Sequence, residues 1–313
     1  IPPLIEANVE RARARTGVET GPGNVLISAG ATGALGAVMG ALVDPGDEVL
    51  VLAPYWPLIT GIVRCFRGTP VEVPLIGEAD SAAAAVEAVR RFHGPRAVAL
   101  YLSTPNNPTG RVLPPDWIEA LVDWARSENL WIVADEVYED YVFRGEHVYA
   151  RALASDRTFS VHSFSKAFGM AGNRCGYVVG PESIVGELCK VSTHSFYSTP
   201  TASQLAAVRA LDGRGDAWIE EVREKYREMG RSAASRLGVE EPEGSTFLFL
   251  DVADRLDERG LIGFLEDCAD RGLFLAPGPS FGPYPSHVRV CFTCAPPDVV
   301  KRGVDELATL LGR

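Results

Sequence analysis

The sequence predicts an α/β fold, a mostly parallel central sheet covered by helices, followed by a smaller C-terminal α+β domain. Three observations carry this. Short apolar runs rich in β-branched residues recur at 48–52, 70–74, 97–102, 131–134, 158–163 and 176–180. Helical patterns such as 81–91 and 115–128 stand between them, the alternation that builds a parallel sheet from strand–helix–strand units. The 313 residues correspond to about two domains.

In chain order, the first segment to interpret is 25–43, which carries no charge and has roughly the length of a bilayer span. Its glycines, the interruption at Ser28-Ala29-Gly30 and the turn at Asp44-Pro45-Gly46-Asp47 instead predict a strand, a glycine-containing turn and a buried helix. The alternating strands and helices follow. Charge density rises at 216–236, a long amphipathic helix, and after Pro242-Glu243-Gly244 the pattern runs strand, helix, strand, helix. The expected division is a large domain over 1–212 and a small domain over 213–313 that includes the long connecting helix. No repeat or low-complexity linker intervenes, so the two are expected to pack together.

Composition narrows the function classes. Hydrophobic residues make up 46% and charged residues 23%, with mean hydropathy +0.04, which excludes disordered, collagenous and coiled-coil chains. A net charge of −11 opposes nucleic acid and anionic membrane surfaces as partners. Six cysteines, widely and irregularly spaced, do not form the framework of a small secreted domain, and a cytoplasmic setting is expected. The chain begins Ile-Pro-Pro and shows no signal-peptide pattern.

Four segments carry chemistry. In Ser163-Phe164-Ser165-Lys166 a lysine follows a strand among small and apolar residues, where its pKa can fall and its amine attack a carbonyl. A buried lysine alone is more often a packed stem, but Ser163 and Arg174 supply a hydroxyl and a guanidinium suited to one phosphate. Ser103-Thr104-Pro105-Asn106-Asn107-Pro108-Thr109-Gly110 has turn chemistry and follows a strand, the side of an open α/β sheet where ligands gather. Asp135-Glu136-Val137-Tyr138 ends another apolar strand; such a carboxylate is often a helix cap, but here it joins the same edge. Gly30-Ala31-Thr32-Gly33 fits a helix N-terminus offering backbone N–H groups to an anion. Near the end, strand alternation in Val288-Arg289-Val290 puts Arg289 opposite the two valines.

Together and in this order, these segments resemble the class I/II aminotransferases of the fold-type I family, which use pyridoxal 5′-phosphate. The resemblance spans nearly the whole chain. It is most specific in Asn107-Pro108-Thr109-Gly110, Asp135 with Tyr138, and Ser-Phe-Ser-Lys166 with Arg174 eight residues on. It implies that Lys166 joins the cofactor covalently and then moves a proton between the substrate Cα and the cofactor C4′. Asp135 would pair with the pyridine nitrogen, and Tyr138 and Asn107 would hydrogen-bond the phenolic oxygen. Trp56 would stack on the ring, while Ala31, Thr32, Ser163, Ser165 and Arg174 would hold the phosphate. Arg289, with Asn107, would bind the α-carboxylate of the amino acid.

The implied activity is ping-pong transfer of an amino group between an amino acid and a 2-oxo acid, in a homodimer with no membrane or nucleic-acid partner. The alternatives on the same scaffold are a lyase of the C–S β-lyase type, an oxidase, or a cofactor-binding domain of a transcription regulator. Family members usually carry an N-terminal arm ahead of the first long helix, and this chain starts near that helix, at residues 1–15. Dicarboxylate-specific members commonly have an arginine near the position of His194. Its absence counts against aspartate as the preferred substrate, and the aromatic residues Tyr55, Phe196 and Tyr197 suit an apolar or aromatic substrate side chain. Cys291-Phe292-Thr293-Cys294 lies at a strand without a second cysteine pair, so neither a redox nor a zinc role is expected. The histidine spacings and glycine pattern predict no metal or nucleotide site.

Overall fold

A computed structural model describes residues 1–75 and 77–313. Helix α1 (Pro2–Thr16) opens with proline at its first position, where no N–H is needed, and closes on Gly17 at φ 67°. The predicted strand–turn–helix follows as β1 (Val25–Ser28) and α2 (Gly30–Leu42). Alternation then runs through β2 (Glu48–Ala53), α3 (Leu58–Cys65), β3 (Thr69–Pro74), α4 (Ala82–Phe92), β4 (Ala97–Ser103), α5 (Pro115–Ser127) and β5 (Trp131–Asp135). After the short α6 (Ala150–Leu153) come β6 (Thr158–Ser163) and β7 (Gly176–Val179), then α7 (Glu182–Ser195) and α8 (Thr201–Leu211).

These seven strands form one sheet in the order β1-β7-β6-β5-β4-β2-β3. From β3 to β6 every pairing is parallel, and β7 runs antiparallel to both neighbours. The sheet is buried on both faces, which explains why its strands read as continuous apolar runs. Val49, Val51, Ala99, Tyr101 and Val133 pack under α2 residues such as Ala34 and Val38. Leu50, Leu52, Leu100, Leu102 and Ile132 pack under Val89 of α4 and Leu121 of α5. From β2 the chain steps outward to β3 and then returns to the other side of β2 as β4, and such a reversal opens a crevice at the carboxyl ends of the strands.

The long helix α9 (Arg214–Leu237) then leads to β8 (Phe247–Asp251), α10 (Gly260–Asp270), β9 (Ala276–Pro277), β10 (His287–Cys291) and α11 (Pro297–Leu310). The three strands form an antiparallel sheet, β8-β10-β9, whose inner residues Leu248, Leu250, Val288 and Val290 meet Ala234, Leu237 and Leu307 of the helices. The predicted pattern omits β9. Two residues, one a proline that cannot donate to a ladder, leave no periodic signal. Among the described residues no helix is long and apolar enough to cross a membrane; α2 has 13 residues.

Candidate active site

The carboxyl ends of β4, β5 and β6 and the N-terminus of α2 converge on one cavity of about 150 Å³. Gly30 starts α2 at φ +70°, a conformation that favours glycine, and a Cβ there would lie 2.5 Å from Arg174 Nη2 and displace that guanidinium. Against it the Arg174 guanidinium donates from Nη1 to the Ala171 carbonyl at 3.0 Å and reaches Ser165 Oγ at 3.5 Å. Ser163 Oγ accepts the Ser165 N–H at 3.0 Å. No side chain caps α2, so its first amides are open to an anion.

The loop after β4 is held by its own side chains. Asn106 Oδ1 accepts from the Thr109 N–H at 3.1 Å and hydroxyl at 2.8 Å, while its Nδ2 donates to the Pro54 carbonyl at 3.0 Å. That last bond ties the loop to the segment bearing Trp56. Asn107, 6% exposed, accepts from Arg289 Nη1 at 2.8 Å. Gly110, at φ +72°, packs on the Phe247 carbonyl so closely that a Cβ would sit 2.4 Å from it.

Asp135 ends β5 and is buried. Its Oδ2 accepts from the Tyr101 hydroxyl at 2.8 Å and its Oδ1 from the Val137 N–H at 3.4 Å. Burial raises its pKa, and Tyr101, Val137, Lys166 and His162 pull it back in part. Tyr138 is buried beside it, and burial raises its phenol as well. Lys166 follows β6; its carbonyl accepts from the Tyr141 hydroxyl at 2.8 Å, and Trp218 Nε1 donates to the next carbonyl, of Ala167, at 3.1 Å. Its Nζ stands 5.4 Å from the centre of the Tyr138 ring. Solvent reaches Lys166 through the cavity mouth, yet desolvation lowers its ammonium pKa, Asp135 and Cys291 oppose that, and Arg289 and Arg174 add to it.

Arg289 lies on β10 opposite Val288 and Val290, as its alternation predicts. Its guanidinium carbon is 4.3 Å from the Phe247 ring centre and 4.9 Å from that of Phe281, which holds its plane. Its Nε is buried without a hydrogen-bond partner.

Ala31, Thr32, Trp56, Asn107, Asp135, Tyr138, Ser163, Ser165, Lys166 and Arg174 all line the cavity, and Arg289 joins it through Asn107. Ser103, Val137 and Ala171 also line it, and Tyr101 supports it from the sheet. Sequence reasoning assigned these four no part. The signal for Tyr101 was a phenol inside the otherwise aliphatic run AVALYL that precedes Ser103. Tyr55, Phe196 and Tyr197 do not line this cavity: Tyr55 is buried in the core, and Tyr197 is 77% exposed. A larger cleft of about 330 Å³ beyond Ser103 is mostly apolar, and its charged pair, Arg111 and Glu243, is joined at 3.3 Å; the convergent reactive groups are in the smaller cavity. All six cysteines are free, and Cys294 is exposed.

A desolvated lysine and a buried carboxylate thus stand beside an anion cradle at the carboxyl edge of this α/β sheet, and similarity to known proteins places this arrangement among the aminotransferases. The chain matches the family described as aminotransferase class I and II over residues 2–307 and belongs to it. It is 34% identical over 318 residues to a probable aspartate/prephenate aminotransferase of Thermus aquaticus, covering 99% of this chain and 82% of that protein. It is 33% identical over 291 residues to an arginine–pyruvate transaminase of Pseudomonas aeruginosa, covering 90% and 73%. The solved aspartate aminotransferase of Thermus thermophilus with maleate superposes with a TM-score of 0.90 at 32% identity, covering 99% of this chain and 82% of that one. Members of this family are generally dependent on pyridoxal 5′-phosphate.

Proposed function

We propose that this cavity binds pyridoxal 5′-phosphate and carries an amino group between an amino acid and a 2-oxo acid by a ping-pong route. The observation that carries the reading is the joining of Lys166, Asp135 and the Gly30–Arg174 cradle around a single cavity. The donor set fits the cofactor. Open amides of α2, two serine hydroxyls and a guanidinium suit a phosphate, and a buried carboxylate suits a protonated ring nitrogen. The unpaired Nε of Arg289 suits a carboxylate, which a guanidinium binds through two N–H groups.

When bound, the cofactor supplies an electron sink for the carbanion at the substrate Cα. The protein supplies the rest. Ala31, Thr32, Ser163, Ser165 and Arg174 anchor the phosphate, and Trp56 covers the ring. Asp135 holds the proton on the ring nitrogen, while Tyr138 and Asn107 hydrogen-bond the phenolic oxygen. Lys166, its amine made easier to deprotonate by desolvation, would hold the cofactor through its aldehyde carbon, the oxygen leaving as water, and once displaced by the amine of the amino acid would be free to move the proton at Cα. Arg289, its plane held between two rings, fixes the amino acid by its carboxylate so that the Cα–H bond faces the lysine.

We further infer a cytoplasmic homodimer and, from the lack of an arginine around His194 and not from the three aromatics outside the cavity, an apolar or aromatic side chain on the preferred amino acid. The test is the absorbance of the cofactor-loaded protein. The band should shift when an amino acid is added without an oxo acid and return when a 2-oxo acid follows. Pyruvate and ammonia accumulating from cysteine conjugates with no shift would overturn transfer in favour of elimination. A substrate panel led by aspartate would overturn the side-chain preference, and light scattering at the mass of one chain would overturn the dimer.

A further inference from the structure

We propose that Tyr101 is a positioning residue that holds the Asp135 carboxylate in the orientation the cofactor's ring nitrogen requires. The inference rests on the reading of Asp135 as partner of that nitrogen.

Tyr101 stands in β4 and Asp135 at the end of the parallel neighbour β5, with Tyr101 beside Val133 and Ser103 beside Asp135 in register. Side chains two apart share a face, so Tyr101, Ser103 and Asp135 lie on one side of the sheet. The phenol reaches along that side to Oδ2 at 2.8 Å, with the Ser103 hydroxyl beside it.

Tyr101 is flanked in register by the apolar Val51 and Val133. It is fully buried, in the cluster that holds Val49, Val51, Val133, Phe159 and Val161. A hydroxyl there is costly unless it is bonded, whereas a phenylalanine would fill the same space without that cost. The hydroxyl therefore makes sense through its acceptor. An aspartate carboxylate turns over a broad range about its last torsion. Here one oxygen is held by Tyr101 and the other, weakly, by the Val137 N–H at 3.4 Å. Each oxygen keeps a further lone pair on a residue that lines the cavity. The bond also favours the charged carboxylate that burial opposes, while the phenol itself, pushed far up by burial and by Asp135, stays protonated and remains a donor.

The test is Tyr101→Phe, read first in the cofactor-free protein. Carbon NMR of labelled aspartate should show the Asp135 carboxyl titrating about one unit higher than in wild type. In the loaded protein the nitrogen-15 shift of labelled pyridoxal 5′-phosphate should show less ring protonation, with the cofactor dissociation constant raised about tenfold. The same change in an Asp135→Asn background should add nothing. Fluorotyrosine at 101, a stronger donor of nearly the same shape, should move the carboxyl titration downward, which covers the case of a poorly folding phenylalanine variant. An unmoved carboxyl titration in both variants, or an equal loss of affinity in the Asp135→Asn background, would overturn the proposal. Asp135→Asn with wild-type cofactor affinity and ring protonation would overturn the functional reading, and with it this inference. That failure is told apart from a failure of Tyr101 because the carboxyl titration would still respond to Tyr101→Phe.

Discussion

Asp135 and Glu136 are consecutive, both acidic and both buried, yet they belong to two charge clusters of opposite design. Asp135 faces a cavity of about 150 Å³, with one short hydrogen bond from Tyr101 and acceptor capacity to spare. Glu136 turns the other way. His147 Nε2 lies 3.8 Å and His162 Nε2 3.7 Å from its oxygens, and the space nearby is about 10 Å³, close to the room one water needs. Behind it Glu139 pairs with His162 Nδ1 at 2.9 Å and with Arg15, while Asp140 takes Arg11 at 2.8 Å and Arg15 at 2.5 Å. Those arginines belong to α1, so the closed cluster clamps the first helix to the segment that carries Tyr138.

The titrations differ accordingly. Burial alone would raise the Glu139 carboxyl, yet His162 and Arg15 hold it well below the usual carboxylate range. Glu136, with weaker partners, is pushed up to about 7, chiefly by burial. Residue type does not separate a reactive cluster from a structural one. The distinction lies in where spare capacity faces: the Glu136 oxygens lack hydrogen-bond partners but are sealed inside the protein, whereas Asp135 opens on a cavity.

The largest effect is expected from Lys166→Ala, at the open cluster. Turnover should fall by about 10³-fold or more, and borohydride should no longer fix the cofactor to the chain, while the urea midpoint changes little. A variant that kept either property would move the reactive amine elsewhere. Glu139→Ala should do the converse. It removes one of the two carboxylates that hold Arg15, leaving Asp140, and the hydrogen-bond partner of His162 Nδ1, and should cost about 3 kcal/mol of stability, read as a lower urea midpoint. The absorbance of the folded, loaded fraction should stay as in wild type, and a changed band would mean that the closed cluster reaches into the chemistry.

Arg289→Lys keeps the charge but loses the flat fork, and kcat/KM should drop about 10- to 100-fold, mostly through KM. An equal loss with a substrate lacking the α-carboxylate would contradict that role. The smallest effect is expected from Glu136→Gln. Between about 4.5 and about 7 the folded protein keeps a proton on Glu136 that the unfolded chain has released. Its contribution is therefore complete below 4.5 and is lost as pH rises through 7. Glutamine should remove that part of the slope and leave the protein about 1–2 kcal/mol more stable above pH 7, measured by denaturant titration at several pH values. An unchanged slope would show that Glu136 does not titrate there.

Much of the architecture was legible because its signals are local. The apolar runs became β2 to β7 within a residue or two at each end, and the uncharged stretch at 25–43 became a strand, a glycine turn and a helix. Residues with distinctive turn or strand-end chemistry, such as Asn107, Asp135 and Lys166, stood out for the same reason, and the structure gathers them around one cavity. Other features left no such trace. The clamp of α1 by Arg11 and Arg15 joins residues more than a hundred positions from their partners, and nothing in an arginine-rich helix says which acid it will meet.

The sequence by itself determined the alternation of strands and helices, the turns that end them and the kinds of side chain at those ends, because periodicity and turn preference act over a few residues. Tertiary structure decided the rest: that β7 runs against its neighbours, that Tyr101 reaches Asp135 across β4 and β5, that Arg289 meets Asn107, and that Asp135 opens on a cavity while Glu136 is enclosed. These depend on strand order, register and burial, which arise only when distant segments compete for the same partners in a medium too dry to leave them unpaired.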